Sequence, residues 1–205
     1  MRTKKRRNGS DIRAQLAEMA ARLMFEDGAL GFGAARRKAE ERLGCGAWRD
    51  LPDNREIEAA LIAYQRLFGG DAHRRRVTEL RRQAVEAMRF LDPFEPRLVG
   101  AVLNGTAGEH APVTLHLFAE PVEEVMLFLD ERSIPYELGE RRYGESGRSY
   151  PRLRFVAGDT RIELVVFPIA DRRVAPPSQI DGRPMHRAAL AEVTVLLESE
   201  TIAGL

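Results

Sequence analysis

The stretch Gly105–Glu120 reads GTAGEHAPVTLHLFAE. A glycine followed by a hydroxyl residue, in a turn ahead of a strand, is a way to hold a phosphate: the backbone comes close and the hydroxyl donates. On the strand that follows, alternate residues share a face, so Thr114 and His116 stand side by side. Glu163, in RIELVVF, is a carboxylate on a later strand. A second set lies in SQIDGRPMHRA, where Arg183, His186 and Arg187 precede a final helix whose free N–H groups favour an anion. Asp181 to Pro184 read as a turn held in one shape, which could equally be structural with exposed arginines. In GERRYGESGRSY, Arg141, Arg142, Tyr143 and Arg148 suit phosphate contacts or a solvated hairpin tip.

Other chemistries lack their residues. GxxxxGK[ST], GxSxG and HExxH are absent, and GALGFG lies between helices, away from any strand. His73, His110, His116 and His186 are widely spaced and could converge only through the fold. A lone cysteine, Cys45, makes neither an internal disulfide nor a zinc site and fits a reducing compartment, so a cytoplasmic location is expected.

The elements that must position these residues fall into two halves. In SDIRAQLAEMAARLMFEDG, Ile12, Leu16, Met19 and Leu23 recur at helical spacing, with Ser10 as N-cap and Gly28 as stop. A second helix ends at Gly44. Asp53 and Glu56 have capping-box spacing for a third, ended by Gly69-Gly70. A fourth carries Val77, Leu80, Ala84, Ala87, Met88 and Leu91 on one side and mostly arginine on the other. At DPFEP, residues 92–96, two prolines end the helical pattern. RLVGAVLNG and VTLHLFAE then read as strands; Pro121 opens a helix; three more strands follow, the last two joined by AGDT; a loop and an amphipathic helix close the chain. One helix between early and late strands argues for an α+β fold, with a helical N-terminal region before a small mixed sheet covered by helices. The expected division is a basic flexible tail at 1–10, a helical region at 11–70 and an α+β domain at 71–205.

Strand, Gly-Thr turn, strand, helix and a later carboxylate-bearing strand, roughly residues 77–170, resemble the nucleotidyltransferase fold of the DNA polymerase β superfamily. In that family a Gly-Ser turn is followed by two carboxylates at alternate strand positions, with a third on a later strand. The resemblance implies Gly105 and Thr106 as the phosphate-binding pair. It implies Glu163 and His116 as the catalytic and metal-binding residues, and a divalent metal (Mg or Mn) and a nucleoside triphosphate as cofactors; Arg183 and Arg187, outside the resembling stretch, are expected as further phosphate ligands from their place before the final helix. Two metal ions about 3.5–4 Å apart would activate the nucleophile and hold the triphosphate. This sequence departs from the pattern at its most diagnostic positions. Thr114 and His116, or Pro112 and Thr114 in the other register, replace the paired acids, and Thr lacks the charge Mg²⁺ prefers. Glu109 and Glu120 are nearby carboxylates, the latter past the strand's end. The expectation is therefore a divergent nucleotidyltransferase-like protein that binds a nucleotide or other phosphate ligand with weak or lost transfer. The alternatives are an inactive scaffold or interaction protein and a helix-turn-helix regulator.

The last alternative rests on AARLMFEDGALGFGAARRKAEERLG, which is similar to the opening helices of TetR-like repressors and implies phosphate contacts from Arg36, Arg37 and Lys38. Charge is compatible: residues 1–96 hold 20 Lys and Arg against 15 Asp and Glu, while 97–205 hold 12 against 16. A basic half can meet nucleic acid, though a solvated helix face explains it equally. No apolar run approaches the roughly 18–20 residues needed to cross a bilayer, and nothing apolar follows MRTKKRRNGS, so neither a membrane partner nor a secretory signal is expected.

Overall fold

The computed structural model describes residues 2–28, 30–44, 50–108, 110–144 and 147–203, with the backbone alone for 2–10 and 201–203. Cys45 and Glu109 lie outside the described residues. The chain divides into two compact units: residues 1–74 with 106–110, and residues 75–105 with 111–205.

The first unit is helical. Its first helix, α1 (Arg2–Glu26), starts at Arg2 rather than after Ser10, so the expected tail at 1–10 is a correction. Lys and Arg are good helix formers and no proline interrupts 2–10, so propagation continues in both directions from the amphipathic stretch. Helix α2 (Phe32–Leu43) ends as expected at Gly44, whose φ of 65° is left-handed. Helix α3 (Asn54–Tyr64) carries the expected capping box: Asp53 accepts from the Glu56 amide and Glu56 from the Asp53 amide. Leu16, Ala20 and Leu23 of α1 are buried with Ala35 and Ala39 of α2 and Ile57 of α3. The alanines at these contacts let the helices approach closely. A π-helical stretch, Gln65–Gly69, follows α3 and turns Gln65 inward while leaving Leu67 and Phe68 exposed. Gly69 is required there, since a Cβ would stand 2.9 Å from the His73 Cβ.

Helix α4 (Gly70–Phe90) restarts at Gly70 and continues into the second unit. The second unit holds a five-stranded mixed sheet in the order β1-β2-β5-β4-β3. Strand β1 is only Arg97–Val99. Gly100, at φ 75°, ends it, and the rest of RLVGAVLNG forms a one-turn helix, α5 (Ala101–Asn104), instead of the expected strand. Strand β2 (Val113–Phe118) pairs antiparallel with β1; helix α6 (Glu123–Asp130) follows, then β3 (Glu137–Tyr143), β4 (Arg148–Ala157) and β5 (Thr160–Phe167). Strand β5 returns parallel to β2 and antiparallel to β4, which gives the mixed sheet. Gly158 and Asp159 make the tight β4–β5 turn read in the sequence. Helix α7 (Leu190–Ala203) is last.

Register separates the two faces of the sheet. Leu98, Leu115, Leu164 and Leu153 align across four strands and are fully buried, so this apolar face is the core. The buried side of α4 (Val77, Leu80, Ala84, Met88), with Val125 and Leu129 of α6, supplies the helical side of that core. One arginine of α4, Arg81, lies on the buried side instead and is 4% exposed. None of the helices is long and apolar enough to cross a membrane among the described residues.

Candidate functional site

The other face of the sheet carries the chemistry. Across the strands, Arg97, His116, Val165, Arg152 and Gly139 align in one row, and Val99, Thr114, Glu163, Arg154 and Glu137 in the next. Thr114 is thus the direct neighbour of Glu163, and His116 lies one row away on the same face.

Glu163 is buried between two arginines. Arg141 Nη1 donates to its Oε1 at 2.9 Å, and Arg152 Nη1 stands 4.0 Å from Oε2. Arg141 reaches it diagonally across β4. Arg154 is engaged at the sheet edge with Glu137, at 2.9 Å. Gly139 makes space for Arg152: a Cβ there would stand 2.9 Å from Arg152 Nη2.

His116 is fully buried. Arg187 Nε–H donates to His116 Nδ1 at 3.0 Å, so the ring proton resides on Nε2, which donates to the Tyr143 hydroxyl at 2.9 Å. Burial, and then the charges of Arg187 and Arg141, hold the imidazole pKa down to about 3. A second proton on Nδ1 would also set an N–H against the Arg187 N–H. Burial pushes the Tyr143 hydroxyl up to about 12, so it stays neutral. Arg187 spans the loop after β5: its Nη1 donates to the carbonyls of Asp171 and Val174, and its guanidinium lies 4.5 Å from the Phe167 ring centre and 5.1 Å from that of Phe118. Burial lowers its pKa.

These contacts revise several assignments. The metal pair of Glu163 and His116 is not assembled: both nitrogens of His116 are engaged, Glu163 is flanked by two guanidinium groups, and Thr114 brings no charge. Among the described residues no group of three or more His, Cys, Asp or Glu side chains could hold a metal ion. The donor set therefore does not fit Mg²⁺ or Mn²⁺. Gly105 does not offer its amide to a phosphate; at φ 76° it caps α5, donating to the Ala101 carbonyl. Thr106 belongs to the helical unit, where its carbonyl accepts from Gln65 Nε2 at 2.9 Å. Arg183, His186 and Arg187 do not converge at a helix N-terminus. Arg183 is exposed near Asp181, His186 pairs with Glu192 at 2.9 Å, and Arg187 turns onto His116. The Asp181–Pro184 turn is held as read, by Ser178 N–H donating to the Arg183 carbonyl and Gly182 N–H to that of Ser178. Tyr143 is buried rather than at a solvated tip, and residues 145 and 146 of that tip lie outside the described residues.

Elsewhere, Arg36 of α2 is held by Asn54 at 2.6 Å, while Arg37 and Lys38 are exposed. The helical unit has a groove of about 570 Å³ walled by Met19, Leu43, Ala60, Ala63 and Tyr64. Its lining is mainly apolar, and its one arginine, Arg22, is bound to Glu26.

An arginine-paired Glu163 is one reading of the sequence, but which arginines pair with it follows from register, which brings residues 22 apart in the chain together. The signal was the matched alternation of Gly139 and Arg141 with Arg152 and Arg154. No protein-family model matches the chain, and a search of curated proteins found no match.

Proposed function

We propose that the protein is a divergent nucleotidyltransferase-like protein that binds a nucleotide or other phosphorylated ligand on the Glu163 face of its sheet and has lost nucleotidyl transfer. The observation that carries this reading is the register of Thr114 against Glu163, with Arg141 and Arg152 around the carboxylate. The order of elements supports the ancestry: a short strand, a glycine turn, a second strand, a helix, and a last strand that returns beside the second with an acid facing it. The arginines support anion binding, because guanidinium groups pair with phosphate oxygens in a planar fork. The loss of transfer follows from charge. Two metal ions need several carboxylate oxygens, and the face offers Glu163 and, at the sheet edge, Glu137, both already paired with arginines.

Calorimetric titration with ATP, CTP, GTP and UTP, alongside an assay for pyrophosphate release, tests the reading. At least one nucleotide is expected to bind, with no pyrophosphate released above background. Failure of every nucleotide to bind would remove the binding claim. Pyrophosphate release abolished by Glu163→Gln would show that transfer is retained.

A further inference from the structure

We infer that the groove between α1 and α3 is a self-association surface, on which a second copy of the chain docks by the same face, turned end over end about a two-fold axis. The inference concerns the helical unit and is independent of the reading given for the sheet.

Two contacts fix the direction of the groove's walls. Arg13 of α1 pairs with Glu56 at the start of α3, at 2.7 Å. Phe25, near the end of α1, packs against Tyr64 at the end of α3, with ring centres 5.3 Å apart. The two helices therefore run side by side in the same direction. The groove of about 570 Å³ lies between them, and its two ends differ. At the end nearer Gln15 the α3 wall is made of small residues, Ala60 and then Ala63. At the other end stand Leu67 and Phe68, 77% and 66% exposed. The π-helical stretch turns them outward, and Phe68 packs against Tyr64 with ring centres 4.6 Å apart, which holds the projecting ring in place.

Charge follows the same polarity. Glu18 lines the small-residue end, and Arg66 directly precedes Leu67 at the bulky end. Both are exposed, and neither makes an ion pair among the described residues, whereas Arg22 between them is bound to Glu26. A patch that is bulky and basic at one end, small and acidic at the other, complements itself when a two-fold axis reverses one copy against the other. Leu67 and Phe68 of each copy then lie over Ala60 and Ala63 of the other, and each Arg66 approaches the opposite Glu18. Two helices from each copy cover apolar side chains that otherwise face water. A foreign partner would need only one half of this complement; the presence of both halves on one surface points to a second copy.

Sedimentation equilibrium of the full chain tests this, and a monomer–dimer equilibrium is expected. Leu67→Glu combined with Phe68→Glu is expected to raise the dissociation constant by about 100-fold or more, the scale of losing two apolar anchors. Both side chains are exposed, so the melting temperature of the monomer is expected to hold. Glu18→Arg is expected to weaken association by about 10-fold, because two attractions become two repulsions. Adding Arg66→Glu to it is expected to restore the wild-type affinity, a recovery that damage to the fold would not give. A chain that stays monomeric at the highest concentration reached overturns the inference. So does a dimer that the Leu67 and Phe68 substitutions leave intact, which would place the contact elsewhere. An affinity that Glu18→Arg leaves unchanged, or lowers without recovery by Arg66→Glu, overturns it as well, because the two-fold arrangement requires those residues to meet.

Discussion

Replacing Arg81 with alanine is expected to destabilise the sheet unit by about 3–5 kcal/mol, the usual cost of removing one partner from a buried charged network. Arg81 is almost fully buried on the core side of α4. Its Nε donates to the Val102 carbonyl at 2.9 Å and its Nη2 to the Leu103 carbonyl at 2.6 Å, and Nη1 pairs with Glu200 of α7. One side chain thus satisfies two carbonyls of the one-turn helix α5 and ties that turn to the C-terminal helix. Alanine would leave those carbonyls and Glu200 without their donor. Lysine keeps the charge but cannot reach three directions from a planar fork, so Arg81→Lys is expected to recover only part of the loss. Urea denaturation of the purified variants measures both. A loss below about 1 kcal/mol for Arg81→Ala, typical of a surface position, would contradict the buried role.

The second large effect is a fall of stability with acid that traces to His116. In the folded protein its pKa is held near 3, whereas the unfolded chain protonates it near the ordinary histidine value of about 6.5. Between those values the unfolded state binds one more proton, so stability decreases as pH falls, by about 1.4 kcal/mol per pH unit. From pH 6.5 to 5, above the range in which most carboxylates titrate, the expected loss is about 2 kcal/mol. Glutamine at 116 can accept from Arg187 and donate towards Tyr143 but takes up no proton. Denaturation of His116→Gln across this range should therefore show a flatter dependence than wild type, even where its absolute stability is lower. An unchanged slope would mean that another group is responsible.

Local signals in the sequence carried much of the fold. The glycine at 44, the reciprocal pair of Asp53 and Glu56, the alternation along Val113–Phe118 and the two-residue turn at Gly158-Asp159 each specify geometry within a few residues, and each forms as read. Non-local effects were not legible. Residues 101–104 have strand-forming neighbours, yet positive φ at Gly100 and burial of Val102 and Leu103 make them helical. The π-helical stretch at 65–69 has no periodicity of its own to announce it. At the site, the sequence singled out Glu163 and His116, which lie buried on one face of the sheet. Their chemical roles depended on partners supplied by topology: Arg141 across two strands, and Arg187 from 71 residues away. A histidine on an otherwise apolar strand does not reveal whether its neighbour will be a metal or a guanidinium.

The central claim is that the Glu163 face of the sheet, rather than the basic helices, receives a phosphorylated ligand. Amide chemical-shift mapping during titration with a nucleotide that binds in calorimetry tests it most directly. The account predicts that the largest shifts fall on Thr114, Arg141, Arg152 and Glu163, with the amides of α1 to α3 unmoved. Shifts centred on Arg36, Arg37 and Lys38 of α2, with the sheet silent, would contradict it and favour a nucleic-acid-binding helical surface instead.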